Sequence, residues 1–188
     1  MKNSYSTFEA ADYCDTTMTS ISRWIKAGKI NSYRTPGGHH RILREDLFEF
    51  MDKHNMPIPE KIKPARKKIL IVDDDAEVRE SLLLFLTSDK YNFEVDVAKD
   101  GYEAGLKVMQ FKPDVIILDL MMPNIDGFKV CERTKSDPLT QDIKILVLTA
   151  YDDPDNIDKA YKKGADKILI KPAGKEELLE EIKLLLRK

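Results

Sequence analysis

ILIVDDD, Ile69 to Asp75, sets four consecutive apolar residues directly against three acids. A run that is apolar at every position is buried on both faces, as a strand is when helices cover both sides of a parallel sheet. VIIL at 115–118 and ILVL at 145–148 read the same way, whereas FEVDV at 93–97 alternates, which suits an edge strand. Strands are expected near 69–73, 93–97, 114–119, 143–148 and 167–170, each followed by a helical pattern. That alternation predicts an α/β fold, a doubly wound five-stranded parallel sheet.

Four of the apolar runs end on a polar residue: Asp73 with Asp74, then Asp119, Thr149 and Lys171. Open parallel sheets carry their sites outside the carboxyl ends of the strands, so these side chains should converge. Two carboxylates about 4 Å apart repel by about 4 kcal/mol at an effective dielectric near 20, so three need a counter-charge. An all-oxygen site with room for water and phosphate oxygens suits Mg²⁺, while Zn²⁺ would call for His or Cys ligands. The pocket is suited to phosphoryl chemistry. Asp75 reads as the cap of the following helix rather than as a ligand.

ILIVDDD, DLMMPNIDG at 119–127, LTAY at 148–151 and IKP at 170–172, in this order over Lys67 to Lys188, resemble the receiver domains of two-component response regulators, a flavodoxin-like fold. The resemblance implies that Asp119 accepts a phosphoryl group from a sensor histidine kinase or phosphotransfer protein. It implies that Asp74 and the Met121 carbonyl bind Mg²⁺ directly with Asp73 in support, and that Lys171 and Thr149 hold the phosphate. Signal would leave through the receiver's fourth helix, fifth strand and fifth helix. Ile168 stands where many receivers carry Tyr or Phe, so an aromatic switch is not expected. Met121 and Tyr151 occupy the positions that tune hydrolysis, and neither positions an attacking water, which predicts slow loss of phosphate.

Upstream, residues 55–66 lose apolar periodicity and carry Pro57, Pro59 and Pro64 among basic residues, which reads as a semi-rigid linker between domains at 1–54 and 67–188. Ser6 and Glu9 form a capping box before a first helix whose buried stripe is expected at Phe8, Ala11 and Cys14. Thr17 caps a second helix, with Ile21, Trp24 and Ile25 inward, Met18, Thr19, Ser22, Arg23 and Lys26 outward, and Gly28 at its end. A hairpin, Ile30 to Thr35 and His39 to Leu43, flanks Pro36, Gly37 and Gly38 ahead of a helix over Glu45 to Lys53. RWIKAGKI at 23–30, YRTPGGHHRI at 33–42 and REDL at 44–47 resemble MerR-like or excisionase-like winged helix-turn-helix domains over Tyr5 to about Met51. The resemblance implies double-stranded DNA as partner, read by Thr19, Ser22, Arg23 and Lys26 of the helix and by Arg34, Thr35, His39 and Arg41 of the wing. His40 stands where the usual pattern has Arg.

The net charge of −2 over 188 residues hides an asymmetry. Thr16 to Arg44 holds six Lys and Arg and no acid, whereas from Ile69 onward 18 Lys plus Arg face 25 Asp plus Glu. Only the first stretch suits a polyanion. No apolar run is long enough to span a bilayer and the start lacks an export pattern, so a cytoplasmic protein without a membrane partner is expected. Cys14 and Cys131 lack metal or redox spacing and read as reduced packing residues. The function expected is a phosphorelay regulator whose phosphorylation state controls DNA binding, with a phosphorylation-dependent homodimer supplying two half-sites. The alternative is a signalling adaptor whose N-terminal fold binds protein. An aspartyl-phosphate hydrolase would want a second acid where Met121 stands, so no enzyme acting on a separate substrate is expected.

Overall fold

A computed structural model describes residues 2–63, 65–88, 91–122, 126–150 and 152–187. The chain divides into two compact units, Met1–Ala65 and Arg66–Lys188.

In the first unit, β1 (Ser4–Ser6) leads into α1 (Thr7–Tyr13), then α2 (Met18–Lys26), β2 (Tyr33–Arg34), β3 (His40–Leu43) and α3 (Arg44–Lys53). The capping box forms as expected: Ser6 Oγ accepts from the Glu9 amide while the Glu9 carboxylate accepts from the Ser6 amide. Thr17 caps α2 through the Ser20 amide, and Gly28, at φ +67°, turns the chain out of the helix in a left-handed conformation that favours glycine. The strands form an antiparallel sheet in the order β1-β3-β2, with Tyr33 opposite Arg41 in the hairpin. Ile21, Ile42, Leu47 and Met51 are fully buried, and Trp24 packs on Phe50 with ring centroids 4.9 Å apart.

Two expectations change here. Phe8 is 67% exposed; α1 instead buries Ala10 and Ala11, with Cys14 half-buried. At 100° per residue, positions 7, 10, 11 and 14 share one face, and Phe8 lies off it although Ala11 follows at the right spacing. The stretch read as a linker is in part a strap on this core. Ile62 is fully buried, Met56 and Ile58 pack beside it, and the Tyr5 hydroxyl donates to the Lys61 carbonyl at 3.3 Å. Helical periodicity ends near His54, but apolar residues spaced along an irregular chain still bury area. Pro64 lies outside the described residues.

The second unit alternates β4 (Lys67–Val72), α4 (Ala76–Leu86), β5 (Phe93–Ala98), α5 (Gly101–Phe111), β6 (Val115–Leu118), α6 (Gly127–Ser136), β7 (Lys144–Thr149), α7 (Pro154–Lys162), β8 (Lys167–Ile170) and α8 (Lys175–Leu186). Its sheet is parallel, in the order β5-β4-β6-β7-β8, with the alternating strand at an edge. Strand periodicity splits the core in two. Leu70, Val72, Ile116, Leu118, Ile145 and Val147 meet α5, α6 and α7, while Ile69, Ile71, Val115, Ile117, Leu146 and Leu148 meet α4 and α8. Each such fully buried aliphatic side chain contributes roughly 1.5–3 kcal/mol. Asp75, Asp100, Asp126 and Asp153 cap four of the helices, Asp75 as expected. Among the described residues, no helix is long and apolar enough to cross a membrane.

Candidate functional site

The sheet's strand order reverses at β4, which has β5 on one side and β6 on the other, and this reversal opens a crevice at the carboxyl ends. Register does the rest. Val72 pairs with Leu118, so Asp73 and Asp119 leave the two central strands at the same level, and the Asp119 amide donates to the Val72 carbonyl at 2.8 Å. Thr149 pairs with Ile170, which delivers Lys171 to the same edge. Asp73, Asp119 and Thr149 are buried, whereas Asp74 is exposed.

Lys171 Nζ lies 2.7 Å from Asp73 Oδ2 and 2.8 Å from Asp119 Oδ2. The second oxygen of each acid has its own donor: the Asp75 amide reaches Asp73 Oδ1 at 2.9 Å and the Met121 amide reaches Asp119 Oδ1 at 3.0 Å. Burial pushes the Asp73 carboxyl above its usual range, against the opposing pull of Lys171. Burial alone would lower the Lys171 ammonium; its hydrogen bonds to Asp119 and Asp73 more than offset this and raise it, so it stays charged. One oxygen from each of Asp73, Asp74 and Asp119 falls within a 4.8 Å cluster.

In the N-terminal unit, α2 exposes Met18, Thr19, Arg23 and Lys26, and the hairpin exposes Arg34 and His39. Ser6, Thr7, Ser22, Gly38, His39, His40 and Arg41 line a polar cleft of about 420 Å³ between helix and hairpin. Thr35 is half-buried, its Oγ1 accepting from the His39 amide at 3.3 Å, so it shapes the hairpin turn. His40 Nδ1 sits 2.9 Å from Ser32 Oγ. Glu9, outside the acid-free stretch in sequence, comes within 3.8 Å of the Arg41 guanidinium.

Residues 69–183 match the response regulator receiver domain family, and residues 4–55 match a helix-turn-helix domain. The chain belongs to the response regulator receiver family. Over 121 residues it is 38% identical to the DNA-binding dual master transcriptional regulator RpaA of Synechocystis, covering 64% of this chain and 49% of that protein. It is 45% identical over 121 residues to the response regulator MprA of Mycobacterium leprae, covering 64% and 51%. The chain thus spans about half the length of the curated relatives it matches. Among solved structures it is similar to the signal receiver domain of a DNA-binding response regulator protein (MerR) from Colwellia psychrerythraea, at TM-score 0.61 and 35% identity, covering 65% of this chain and 99% of that one. The chemotaxis protein CheY4 of Vibrio cholerae also has TM-score 0.61, at 33% identity, covering 65% and 100%.

The receiver's donor set fits a hard divalent cation. It is all oxygen, the single ammonium of Lys171 bonds two of the three carboxylates, and Asp74 is exposed to water. Two residues of the receiver's site escaped the sequence reading. A Cβ on Gly127 would lie 2.4 Å from the Asp119 carbonyl oxygen and 2.7 Å from Leu120 Cα, so only glycine lets α6 start against the end of β6. Its signal was present, since the Asp-Gly pair closes the DLMMPNIDG motif. Arg79 of α4 donates to the Asp73 carbonyl at 2.7 Å, a contact with no local signature. Ile168 is half-buried against the α5–α7 side of the core. Tyr151 lies outside the described residues. Cys14 and Cys131 are free, and burial pushes their thiols up to about 11 and about 12, as suits packing residues.

Proposed function

We propose that this chain is a response regulator in which Asp119 takes a phosphoryl group from a histidine kinase or phosphotransfer protein, and in which that event controls DNA binding by the N-terminal unit. The observation that carries the reading is Lys171 Nζ, bonded at once to Asp73 and Asp119 at the mouth of the sheet. The Asp119 carboxylate attacks phosphorus in line: a P–O bond forms, the P–N bond of the phosphohistidine breaks, and the departing imidazole takes a proton from solvent. Lys171, kept charged by the two carboxylates, follows the new charge onto the phosphoryl oxygens, and Thr149 hydrogen-bonds the same group. Asp74, Asp119 and the Met121 carbonyl would hold Mg²⁺ directly, with Asp73 in support. When bound, Mg²⁺ neutralises charge developing on the phosphoryl oxygens. The chain turns over no separate substrate.

The DNA half rests on the helix-turn-helix match and on the basic, acid-free stretch that α2 and the hairpin present. Thr19, Ser22, Arg23 and Lys26 are assigned to the major groove. The hairpin acts as a wing, where Arg34, His39 and Arg41 contact backbone and Thr35 sets the turn. One such unit covers a short half-site, so phosphorylation acts by pairing two copies through α7, β8 and α8, which expose Tyr161, Ile170 and Leu184. Kinase and DNA together place the action in the cytoplasm.

Two measurements test this. Full-length protein incubated with acetyl phosphate and Mg²⁺ should gain the mass of one phosphoryl group, and Asp119→Asn should not; equal labelling of a folded Asp119→Asn protein overturns the acceptor assignment. Sequencing of genomic fragments retained by the protein, with and without phosphodonor, should give one motif enriched on phosphorylation. No retention at low salt in either state overturns the DNA assignment.

A further inference from the structure

The outward face of α5 is unlike a solvent face. Tyr102, Gly105, Leu106, Met109 and Gln110 are all exposed, at the i, i+3, i+4, i+7 spacing of a helix stripe, and none is charged. Tyr102 is 69% exposed, and Leu106 and Met109 about half. The nearest charges on the helix are already engaged, because Lys107 bonds Asp96 at 2.8 Å and Glu103 at 3.2 Å. Met109 continues the stripe into a groove between α5 and the α6–β7 connection, where Leu139 is 80% exposed. A second hollow shares Val108, Met109 and Thr140 with that groove and carries Arg133 and Asp137 on its far side.

We infer that this face is where an unphosphorylated second copy of the chain docks, with the two α5 helices antiparallel about a two-fold axis near Leu106. Under such an axis each residue near the centre meets its own counterpart, so a charged stripe would repel itself and an uncharged one does not. Gly105, where a Cβ would meet nothing within 4 Å, leaves the crossing point open for close approach of the partner helix. Antiparallel pairing brings Tyr102 of one copy toward Met109 of the other, a favourable sulfur–aromatic contact. The rim is balanced in the same sense: Arg133 and Asp137, four residues apart, meet in opposite order on the facing copy. Covering Tyr102, Leu106, Met109, Leu139 and their surroundings on both copies removes on the order of 1,000 Å² of surface, the lower bound for a specific interface. The surface lies on α5 and α6, apart from the α7, β8 and α8 face assigned above to the phosphorylated dimer, and does not depend on phosphate at Asp119.

Full-length protein without phosphodonor, followed by sedimentation velocity across a concentration series, should show a reversible dimer. Leu106→Glu and Leu106→Lys should each weaken it by about tenfold or more, while an equimolar mixture of the two variants should restore association as a heterodimer. Met109→Glu and Met109→Lys provide a second such pair, and thermal melts confirm folding of each variant. A wild-type monomer at every concentration overturns the inference, as do variants that associate like wild type. A mixture that stays monomeric overturns the two-fold geometry and points to a different occupant of the face.

Discussion

Gly127 and Met121 bracket what single residues do around Asp119. Because a Cβ at 127 would overlap the Asp119–Leu120 backbone, Gly127→Ala must move either α6 or the strand end that carries Asp119. We expect a loss of about 1–3 kcal/mol in a denaturant melt, and slower phosphorylation by acetyl phosphate even under conditions where the variant is folded. Unchanged stability would show that α6 shifts freely. Phosphate on Asp119 should then be long-lived. Among the described residues, the polar side chains that share a cleft with Met121 are engaged: Asp126 Oδ1 accepts the Phe128 amide, Asn156 donates to Asp153, and Lys159 sits 3.9 Å over the Phe128 ring. We expect none of these three to aim a water at phosphorus. A half-life of only seconds in purified protein with Mg²⁺ contradicts this.

At the scale of elements, the helix starts were the most legible part of the sequence, since a cap is a local event between a side chain and an amide two or three residues on. Ser6, Thr17 and Asp75 each cap where expected. Ser6→Ala should therefore cost the N-terminal unit about 1 kcal/mol. Glu9, the reciprocal partner, is held down from 4.5 to about 2 by its hydrogen bonds from Lys2 and from Ser6. A depressed carboxylate stabilises the fold above its unfolded pKa and loses that contribution as pH falls through the folded one. The stability gap between wild type and Glu9→Gln should thus be full near neutrality and shrink between 4.5 and about 2, a modest effect for a partly exposed pair. A gap that grows on acidification contradicts the assignment. What local reading missed was packing from a distance. Phe8 has the spacing of a core residue but the wrong angle, and Ile62 is buried by a chain with no periodicity to announce it. The convergence of Asp73, Asp119, Thr149 and Lys171 was legible for the opposite reason: parallel strands align their ends, so distant residues meet by topology alone.

At the scale of the whole molecule, the charge asymmetry determines how phosphorylation can be read. The acid-free, net-basic stretch is Thr16–Arg44, while from Ile69 onward 18 Lys plus Arg face 25 Asp plus Glu, so the DNA contacts proposed above fall on the N-terminal unit. Each phosphate contacted contributes roughly −0.9 to the slope of log affinity against log salt. If phosphorylation only freed a masked N-terminal unit, affinity would rise with an unchanged slope, since each bound chain would touch the same phosphates. If it pairs two chains, both units bind at once and the slope should roughly double. We expect doubling. Arg34→Ala and Arg41→Ala should each flatten the slope of the unphosphorylated protein by about 1 and that of the phosphorylated protein by about 2, because a dimer loses the contact twice. Binding titrations from low to moderate salt, with and without beryllofluoride and all in a Leu106→Glu background in which α5 no longer pairs the unphosphorylated chains, separate the two routes. Parallel lines would rule out pairing as the means by which Asp119 controls the DNA.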